Sequence, residues 1–270
     1  MVESLQHIIS SDGSTVVYRR FGNGPRLITV LHSLALDGSW YQPLAQALGE
    51  QYTLLAPDYR GHGESPRGNS DISLSLVAQD IAAIWDAENI KSSVILGISL
   101  GGMVAQALTG TFPGRIDAQI LMATSGAFNE QSISATLERA EFAKTPEGIS
   151  KSADVTMERW FGDRAQDATD PLVKRGRTQF LNFGGNTLAE YFVAMTTVGD
   201  FQTETPPPTL VLGGDDDRST PRPVVEALAA SLPDAELHFA KGGHLVAFEN
   251  PLEVAATVRP FLDGLDSWSN

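Results

Sequence analysis

Residues 94–102 read VILGISLGG, an apolar run that ends in the pattern Gly-x-Ser-x-Gly around Ser99. The run predicts a buried strand, and a helical pattern begins near Gly102, so the serine lies in a tight strand-to-helix turn. Gly97 and Gly101 remove side chains that would collide with this crowded turn. The start of the helix adds partial positive charge, which favours an oxyanion beside the hydroxyl. The stretch predicts Ser99 as a nucleophile, and an ordinary turn with a serine N-cap is the alternative.

Strand-like and helix-like segments alternate on both sides of this turn, from about residue 27 onward. Short apolar runs separated by helical patterns predict an α/β fold with a mostly parallel, doubly wound sheet. The first 21 residues predict two strands joined by a turn at Asp12-Gly13, which would form a hairpin at the sheet edge. The predicted strands are 27–31, 53–56, 94–98, 116–122, 209–212 and 236–240, and the predicted helices are 40–48, 73–88, 102–111, 221–231 and 252–262.

The interval from about residue 125 to 203 interrupts this alternation. It has no clear strand and is rich in aromatic residues, so it predicts several helices inserted between two strands. We expect a sheet-bearing core domain formed by 1–124 and 201–270, and a helical cap formed by 125–200. Long crossover connections within the core are the alternative.

Composition narrows the class of function. The chain has 270 residues, 19 Lys+Arg and 33 Asp+Glu, and a formal net charge of −14. Such an acidic protein is not expected to hold nucleic acid or an anionic bilayer. The absence of cysteine excludes disulfides, thiolate metal sites and a thiol nucleophile. The N-terminus lacks the pattern of a signal peptide and the apolar stretch 94–108 is too short to span a membrane, so we expect a cytoplasmic protein.

A serine hydroxyl is a poor nucleophile at neutral pH unless a base lies beside it. His244 follows the predicted strand 236–240 through a Gly-Gly pair, on the side where open α/β sheets bind ligands. A loop histidine bonded to backbone is the alternative. The acids at 215–217 also follow a predicted strand, and one of them would hold the imidazole tautomer and stabilise the imidazolium. Residue order alone does not select among the three acids.

Five segments mark turns that follow predicted strands: LHSL at 31–34, DYRGHGES at 58–65, GISLGG at 97–102, GDDDRSTP at 214–221 and GGH at 242–244. With these segments the chain resembles the α/β-hydrolase fold over essentially its whole length. The resemblance implies a Ser-Asp-His catalytic triad, in that chain order, beneath a helical cap. The acid of this fold usually stands four residues before the proline at 221, which selects Asp217 and leaves Asp216 as the next choice.

One departure from the family pattern indicates a subgroup. The family more often has His-Gly where this chain has His-Ser at 32–33. The stretch 32–40, HSLALDGSW, is similar to the Asn-Ser-Leu-Gly segment of 3-oxoadipate enol-lactonases, and Arg159-Trp160-Phe161 resembles the cap of that group. The resemblance implies an oxyanion hole formed by the backbone N–H groups of Leu34 and Leu100. Core packing alone is the alternative for Leu34.

The remaining histidines are interpreted as structural. His7 and His238 lie in predicted strands, and His32 is expected to hydrogen-bond its own loop. The turn at 60–63 is interpreted as a scaffold, with direct contact to substrate as the alternative.

Substrate choice is expected to depend on the inserted helices. A carboxylated enol-lactone would need a cation in a dry pocket, where the charge is screened less than at the surface. Core packing is the alternative for the apolar candidates, and surface charge is the alternative for the cations. The candidates are Trp160 as a pocket wall, Met157, Phe161 and Phe192 as lining, and Arg159 as the cation, with Arg175 and Arg177 in reserve.

Together these residues predict a serine hydrolase that cleaves a small carboxylic ester or lactone through an acyl-enzyme. We expect a small-molecule substrate and neither a metal ion nor an organic cofactor. A C–C bond hydrolase of ring-fission diketones shares the order of triad residues and stays open. A non-catalytic ligand-binding receptor on the same scaffold also stays open, although it would not need all three residues. The sequence does not fix the oligomeric state, and a homo-oligomer stays open.

Overall fold

A computed structural model describes residues 3–265, and its central feature is an eight-stranded sheet. In chain order the strands are β1 (Glu3–Ile9), β2 (Thr15–Phe21), β3 (Arg26–Leu31), β4 (Tyr52–Pro57), β5 (Ser93–Ile98), β6 (Ile116–Met122), β7 (Thr209–Gly214) and β8 (Glu236–Ala240). Across the sheet they lie in the order β1-β2-β4-β3-β5-β6-β7-β8. β2 pairs antiparallel with β1 and β4, and the other pairs are parallel. The predicted hairpin edge and mostly parallel sheet are confirmed.

Helices connect the parallel strands. Those of the core are α1 (Gln42–Leu48), α2 (Leu74–Ala87), α3 (Leu100–Thr111), α8 (Arg222–Ser231), α9 (Val246–Glu249) and α10 (Pro251–Asp263), and those between β6 and β7 are α4 (Glu130–Ala143), α5 (Gly148–Phe161), α6 (Pro171–Phe183) and α7 (Gly185–Met195). A single 3-10 turn, Gly38–Tyr41, precedes α1. Each described helix is too short or too polar to cross a membrane.

Burial explains the sequence pattern of the strands. All residues of β4, β5 and β7 are buried, because helices cover both faces of a parallel sheet. The edge strand β1 instead alternates between exposed and half-buried residues. Strand β5 lies near the middle of the sheet, so its carboxyl end opens into the crevice where ligands bind in this architecture.

Helices α4 to α7 occupy the interval that lacks a strand within the described chain. They contact the core through charged pairs as well as apolar side chains. Arg67 in the loop after β4 lies 2.5 Å from Glu190 of α7, and Arg164 lies 2.9 Å from Glu249 of α9. The division into a core and a cap at residues 125 and 200 stays a prediction.

A buried arginine fastens the N-terminal hairpin to the core. Arg60 is fully buried and its Nε lies 2.6 Å from Asp80 Oδ2, while its Nη1 lies 2.5 Å from Asp12 in the hairpin turn. These acids raise the pKa of Arg60 above its ordinary value, so the guanidinium stays charged. Arg60 therefore has a scaffold role, as the sequence predicts for the turn at 60–63.

We expect Asp80→Ala to lower the free energy of unfolding by about 3–5 kcal/mol, because it leaves the buried Arg60 charge without its main partner. Asp86→Ala on the same helix is the matched control. Its exposed carboxylate pairs with Arg115 at 2.7 Å, and such surface pairs contribute about 0–1 kcal/mol. Urea denaturation measures both variants, and an equal loss of stability would contradict the argument.

Candidate active site

Ser99 stands at the turn between β5 and α3 in a strained backbone conformation, with φ 57° and ψ −118°. A Cβ at Gly97 would lie 2.2 Å from the carbonyl oxygen of Gly101. A Cβ at Gly101 would lie 1.9 Å from the carbonyl oxygen of Leu31. Both distances are far inside van der Waals contact, so only glycine fits at either position. This is the crowding that the sequence pattern predicts, and it brings the start of α3 against the end of β3.

A chain of two hydrogen bonds joins three buried polar side chains. The Ser99 hydroxyl donates to His244 Nε2 at 2.8 Å, and His244 Nδ1–H donates to Asp217 Oδ2 at 2.9 Å. Each residue follows the carboxyl end of a parallel strand: β5, β8 and β7 respectively, with β6 lying between β5 and β7. The topology of the sheet therefore brings together residues that lie far apart in the sequence.

The carboxylate of Asp217 is fixed by the turn that follows it. Its Oδ1 accepts the N–H groups of Ser219 at 2.7 Å and Thr220 at 2.9 Å, and its Oδ2 accepts the Thr220 hydroxyl at 2.6 Å. Burial by itself raises the pKa of Asp217, but His244 and the Thr220 hydrogen bonds outweigh burial and hold the pKa below its usual value. The carboxylate is therefore ionised at neutral pH and accepts from the imidazole.

The neighbouring acid, Asp216, points away from this chain of hydrogen bonds. Its side chain is 70% exposed and lies 4.0 Å from Arg218, whereas the Asp217 side chain is fully buried. Asp215 accepts the N–H of Gly242 at 3.0 Å. Only Asp217, among the three acids at 215–217, contacts His244.

Backbone hydrogen bonds and a neighbouring aromatic ring hold His244 in position. Its backbone N–H donates to the carbonyl oxygen of Trp160 at 3.0 Å, and the Trp160 ring stacks on the imidazole with 6.4 Å between centroids. The preceding N–H, of Gly243, donates to Glu249 at 3.1 Å. The tryptophan is buried, so its carbonyl and its ring restrict the position of the histidine.

Two backbone N–H groups, one directly after Ser99 and one on the loop that follows β3, have no protein acceptor within the described residues. Leu100 is the first residue of α3, directly after Ser99, and Leu34 lies on the loop that follows β3. Among residues 3–265, no acceptor takes either N–H. Ala35, next to Leu34, has a left-handed φ of 57°, and the N–H of Leu36 closes a turn onto the carbonyl of Ser33 at 3.2 Å. Both N–H groups are without a partner in this part of the chain, and their role as oxyanion donors stays a prediction.

A cavity of about 500 Å³ opens from Ser99 and His244 toward the inserted helices. Arg139 of α4 and Arg159 of α5 both line it. Arg139 is half-buried with its guanidinium 4.3 Å from the centroid of the Phe192 ring. Burial, together with the Arg159 charge, lowers the pKa of Arg139 to about 10. Within the described chain, neither arginine has a carboxylate partner.

The other predicted pocket residues lie outside this cavity. Arg175 donates to Ser39 at 2.7 Å and stacks on Trp40, and Arg177 pairs with Asp154. Their contact with substrate stays a prediction, whereas Arg159 lines the cavity directly. The buried aromatic and apolar candidates are Met157, Trp160, Phe161 and Phe192.

Sequence reasoning missed Arg139 and Thr220. Thr220 had a local signal, since an aspartate in a turn commonly accepts hydrogen bonds from the residues that follow it. Arg139 had none, because its helix shows mixed charges and the sequence does not tell which side faces the cavity.

Similarity to known proteins extends over most of the chain. The model of the alpha/beta hydrolase family matches residues 30–257. The pimeloyl-[acyl-carrier protein] methyl ester esterase of Stenotrophomonas maltophilia (strain K279a) is 29% identical over 259 residues, which cover 90% of this chain and 95% of that protein.

Solved structures share the architecture. A hydrolase from Pseudomonas aeruginosa PA01 superposes with a TM-score of 0.85 at 27% identity, covering 96% of this chain and 98% of that chain. The enol-lactonase of Burkholderia xenovorans LB400 superposes with a TM-score of 0.83 at 22% identity, covering 96% and 100%, and this likeness is one of fold. The resemblance seen in the sequence is thus confirmed at the level of the family, and the enol-lactonase subgroup stays a prediction. From its strand order, its strained serine turn and the match over 30–257, the chain belongs to the alpha/beta hydrolase family.

Proposed function

We propose that this protein is a serine hydrolase of small carboxylic esters or lactones that acts through an acyl-enzyme. The observation that carries the proposal is the buried chain of hydrogen bonds from Ser99 through His244 to Asp217. A relative named as a methyl ester esterase and a structural neighbour named as an enol-lactonase support the ester class. The chemistry follows from the positions of the three side chains.

Acylation begins at the serine. Ser99 Oγ attacks the ester carbonyl carbon and its proton passes to His244 Nε2, while Asp217 holds the Nδ1–H of the ring and stabilises the imidazolium. The carbonyl oxygen becomes an oxyanion that accepts the N–H groups of Leu34 and Leu100. His244 then gives its proton to the leaving alcohol oxygen as the carbon–oxygen bond breaks.

Deacylation uses the same groups in reverse. A water molecule gives a proton to His244 Nε2 and attacks the acyl carbon, and the bond to Ser99 breaks as the proton returns to the serine oxygen. The product is a carboxylic acid. With a lactone, the leaving alcohol stays tethered to the acyl group, so a single hydroxy acid results. With an enol-lactone the released hydroxyl is an enol, which tautomerises to the keto acid.

The cavity supports an ester that carries a second, anionic group. Its volume suits a small acyl chain, and the guanidinium groups of Arg139 and Arg159 face it without carboxylate partners in residues 3–265. In a chain with a net charge of −14, an incoming carboxylate needs such local cations. We therefore propose a half-ester of a dicarboxylic acid, or a carboxylated lactone, as the substrate class.

Arg139→Gln should lower kcat/KM for the monomethyl ester of a six-carbon dicarboxylic acid by roughly 10- to 100-fold, which is the effect of losing a charged hydrogen bond. Arg159→Gln should lower it less, because Arg159 is exposed and its charge is screened. Neither variant should change kcat/KM for the neutral methyl ester of equal length. The guanidinium of Arg115 pairs with Asp86 away from the cavity, so Arg115→Gln is the matched control and should leave kcat/KM for both esters unchanged. An equal loss on both esters in Arg139→Gln would contradict the anionic substrate.

The chemistry itself is tested by labelling and by a substrate panel. A serine-directed phosphonate should modify Ser99, and p-nitrophenyl esters, simple lactones and carboxylated lactones should be turned over faster than a vinylogous diketone. Faster cleavage of the diketone would instead favour a C–C bond hydrolase. Failure of the phosphonate to label Ser99, together with no turnover, would favour a ligand-binding receptor.

A further inference from the structure

The turn at 60–63 brings His62 against the loop that carries Leu34. The imidazole is buried, and its Nε2 accepts the backbone N–H of Ala35 at 3.0 Å. Ala35 is the residue with the left-handed φ of 57°, directly after Leu34. A buried side chain from a distant turn therefore accepts the N–H of a residue in left-handed backbone, directly after the Leu34 amide that the proposed function assigns to the oxyanion.

Aromatic rings on three sides fix the orientation of this imidazole. Its centroid lies 4.2 Å from that of Phe183, 4.7 Å from that of Tyr191 and 5.6 Å from that of Tyr59. Nδ1 faces the carbonyl oxygen of Arg60 at 3.3 Å. The ring thus has little freedom to turn its Nε2 away from Ala35.

The ring must be neutral to make this contact. Burial, with the neighbouring His32 adding to it, lowers the pKa of His62 well below its usual value. The hydrogen then sits on Nδ1, and the lone pair of Nε2 is left to accept from Ala35. His32 repeats the arrangement, since its Nε2 accepts the N–H of Tyr59 at 3.2 Å and its Nδ1 bonds the carbonyl of Ser33 at 2.8 Å.

From this geometry we propose that His62 is a positioning residue that holds the Leu34 N–H in place to receive the oxyanion. The contact fixes the peptide that joins Leu34 to Ala35, and the turn from Ser33 to Leu36 fixes the next one. Because the N–H groups of Ala35 and Leu36 already have protein acceptors, the N–H of Leu34 is the one left for a ligand. This inference rests on the proposed hydrolase chemistry and adds a residue that acts through the loop rather than on substrate.

Substituting His62 by each of two amide side chains separates the loss of the hydrogen-bond acceptor from the loss of the ring's volume. In His62→Gln the amide oxygen reaches the place of Nε2, whereas in His62→Asn it reaches only the place of Nδ1. We expect His62→Asn to lower kcat for a p-nitrophenyl ester by roughly 10- to 100-fold with little change in KM, less than the full loss of an oxyanion donor. His62→Gln should recover most of the rate. His238→Asn, on an exposed strand position, should leave kcat unchanged.

Hydrogen exchange tests the contact without requiring turnover. The peptide that covers 33–37 should exchange slowly in the wild type and in His62→Gln and faster in His62→Asn, while peptides from β5 stay protected in all three. Unchanged exchange in His62→Asn would overturn the contact. Faster exchange with an unchanged kcat would overturn the link to the oxyanion. If the wild type turned over no ester, the proposed function would fall while exchange still decided whether His62 holds the loop.

Discussion

Ser99→Ala should lower kcat for ester hydrolysis by about 10⁵- to 10⁶-fold, because a nucleophile of this kind acts as one unit with its base. The substitution removes the hydroxyl that lies 2.8 Å from His244 Nε2 and leaves the cavity, the imidazole and the two free amides in place. The residual rate should come from attack by water, assisted by the oxyanion amides. Turnover of a p-nitrophenyl ester measures the loss, and the phosphonate should no longer label the protein.

Ser99→Gly is the control that separates catalysis from folding. With φ at 57° and ψ at −118°, the turn holds a conformation that only glycine adopts without strain. We expect the glycine variant to be as inactive as the alanine variant but more stable by about 1 kcal/mol, measured by urea denaturation. Activity retained by Ser99→Ala would remove the serine from the mechanism. If both variants failed to fold, phosphonate labelling of the wild type would decide whether Ser99 is the nucleophile. Modification of a residue other than Ser99 would contradict that assignment.

The sheet was predictable because burial leaves a clear mark on the sequence. Parallel strands such as β5 and β7 are covered on both faces, so they appear as unbroken apolar runs between turns. The helices of the core were less sharply defined. Helix α3 begins at Leu100 rather than near Gly102, because the strained turn at Ser99 passes directly into helical backbone. Helix α9, Val246–Glu249, is a single turn and is too short to show a period.

The candidate site was predictable where a reactive side chain comes after a predicted strand. Ser99 stands directly after β5 and His244 lies on the loop that follows β8, and the parallel direction of these strands brings their carboxyl ends to one edge of the sheet. The position of Arg139 was not predictable, because it depends on how α4 lies over the core. Trp160, predicted as a pocket wall, has its ring beside His244, and its contact with substrate stays a prediction. Three consecutive aspartates also gave no local reason to choose among them, and only the resemblance selected Asp217.

Asp217→Asn should lower kcat by about 10⁴-fold, as an incorrect imidazole tautomer does in this type of triad. The N–H groups of Ser219 and Thr220 both donate to Oδ1 of the present carboxylate. The oxygen of an asparagine would keep those two bonds, so its NH₂ group would face His244 Nδ1. That group can only donate, so the ring hydrogen would move to Nε2, which could then no longer accept the proton of Ser99.

Asp216→Asn is the matched control, with the same chemical change one residue earlier. Its side chain is 70% exposed and faces Arg218 rather than the imidazole, so we expect kcat to change by less than about twofold, as for most surface charges. Steady-state turnover of one ester by both variants gives the ranking. The reverse ranking would move the acid to Asp216, and two small effects would mean that neither of these carboxylates orients His244. A large loss confined to Asp217 would show that the buried carboxylate keeps the histidine in the tautomer that can take the serine proton.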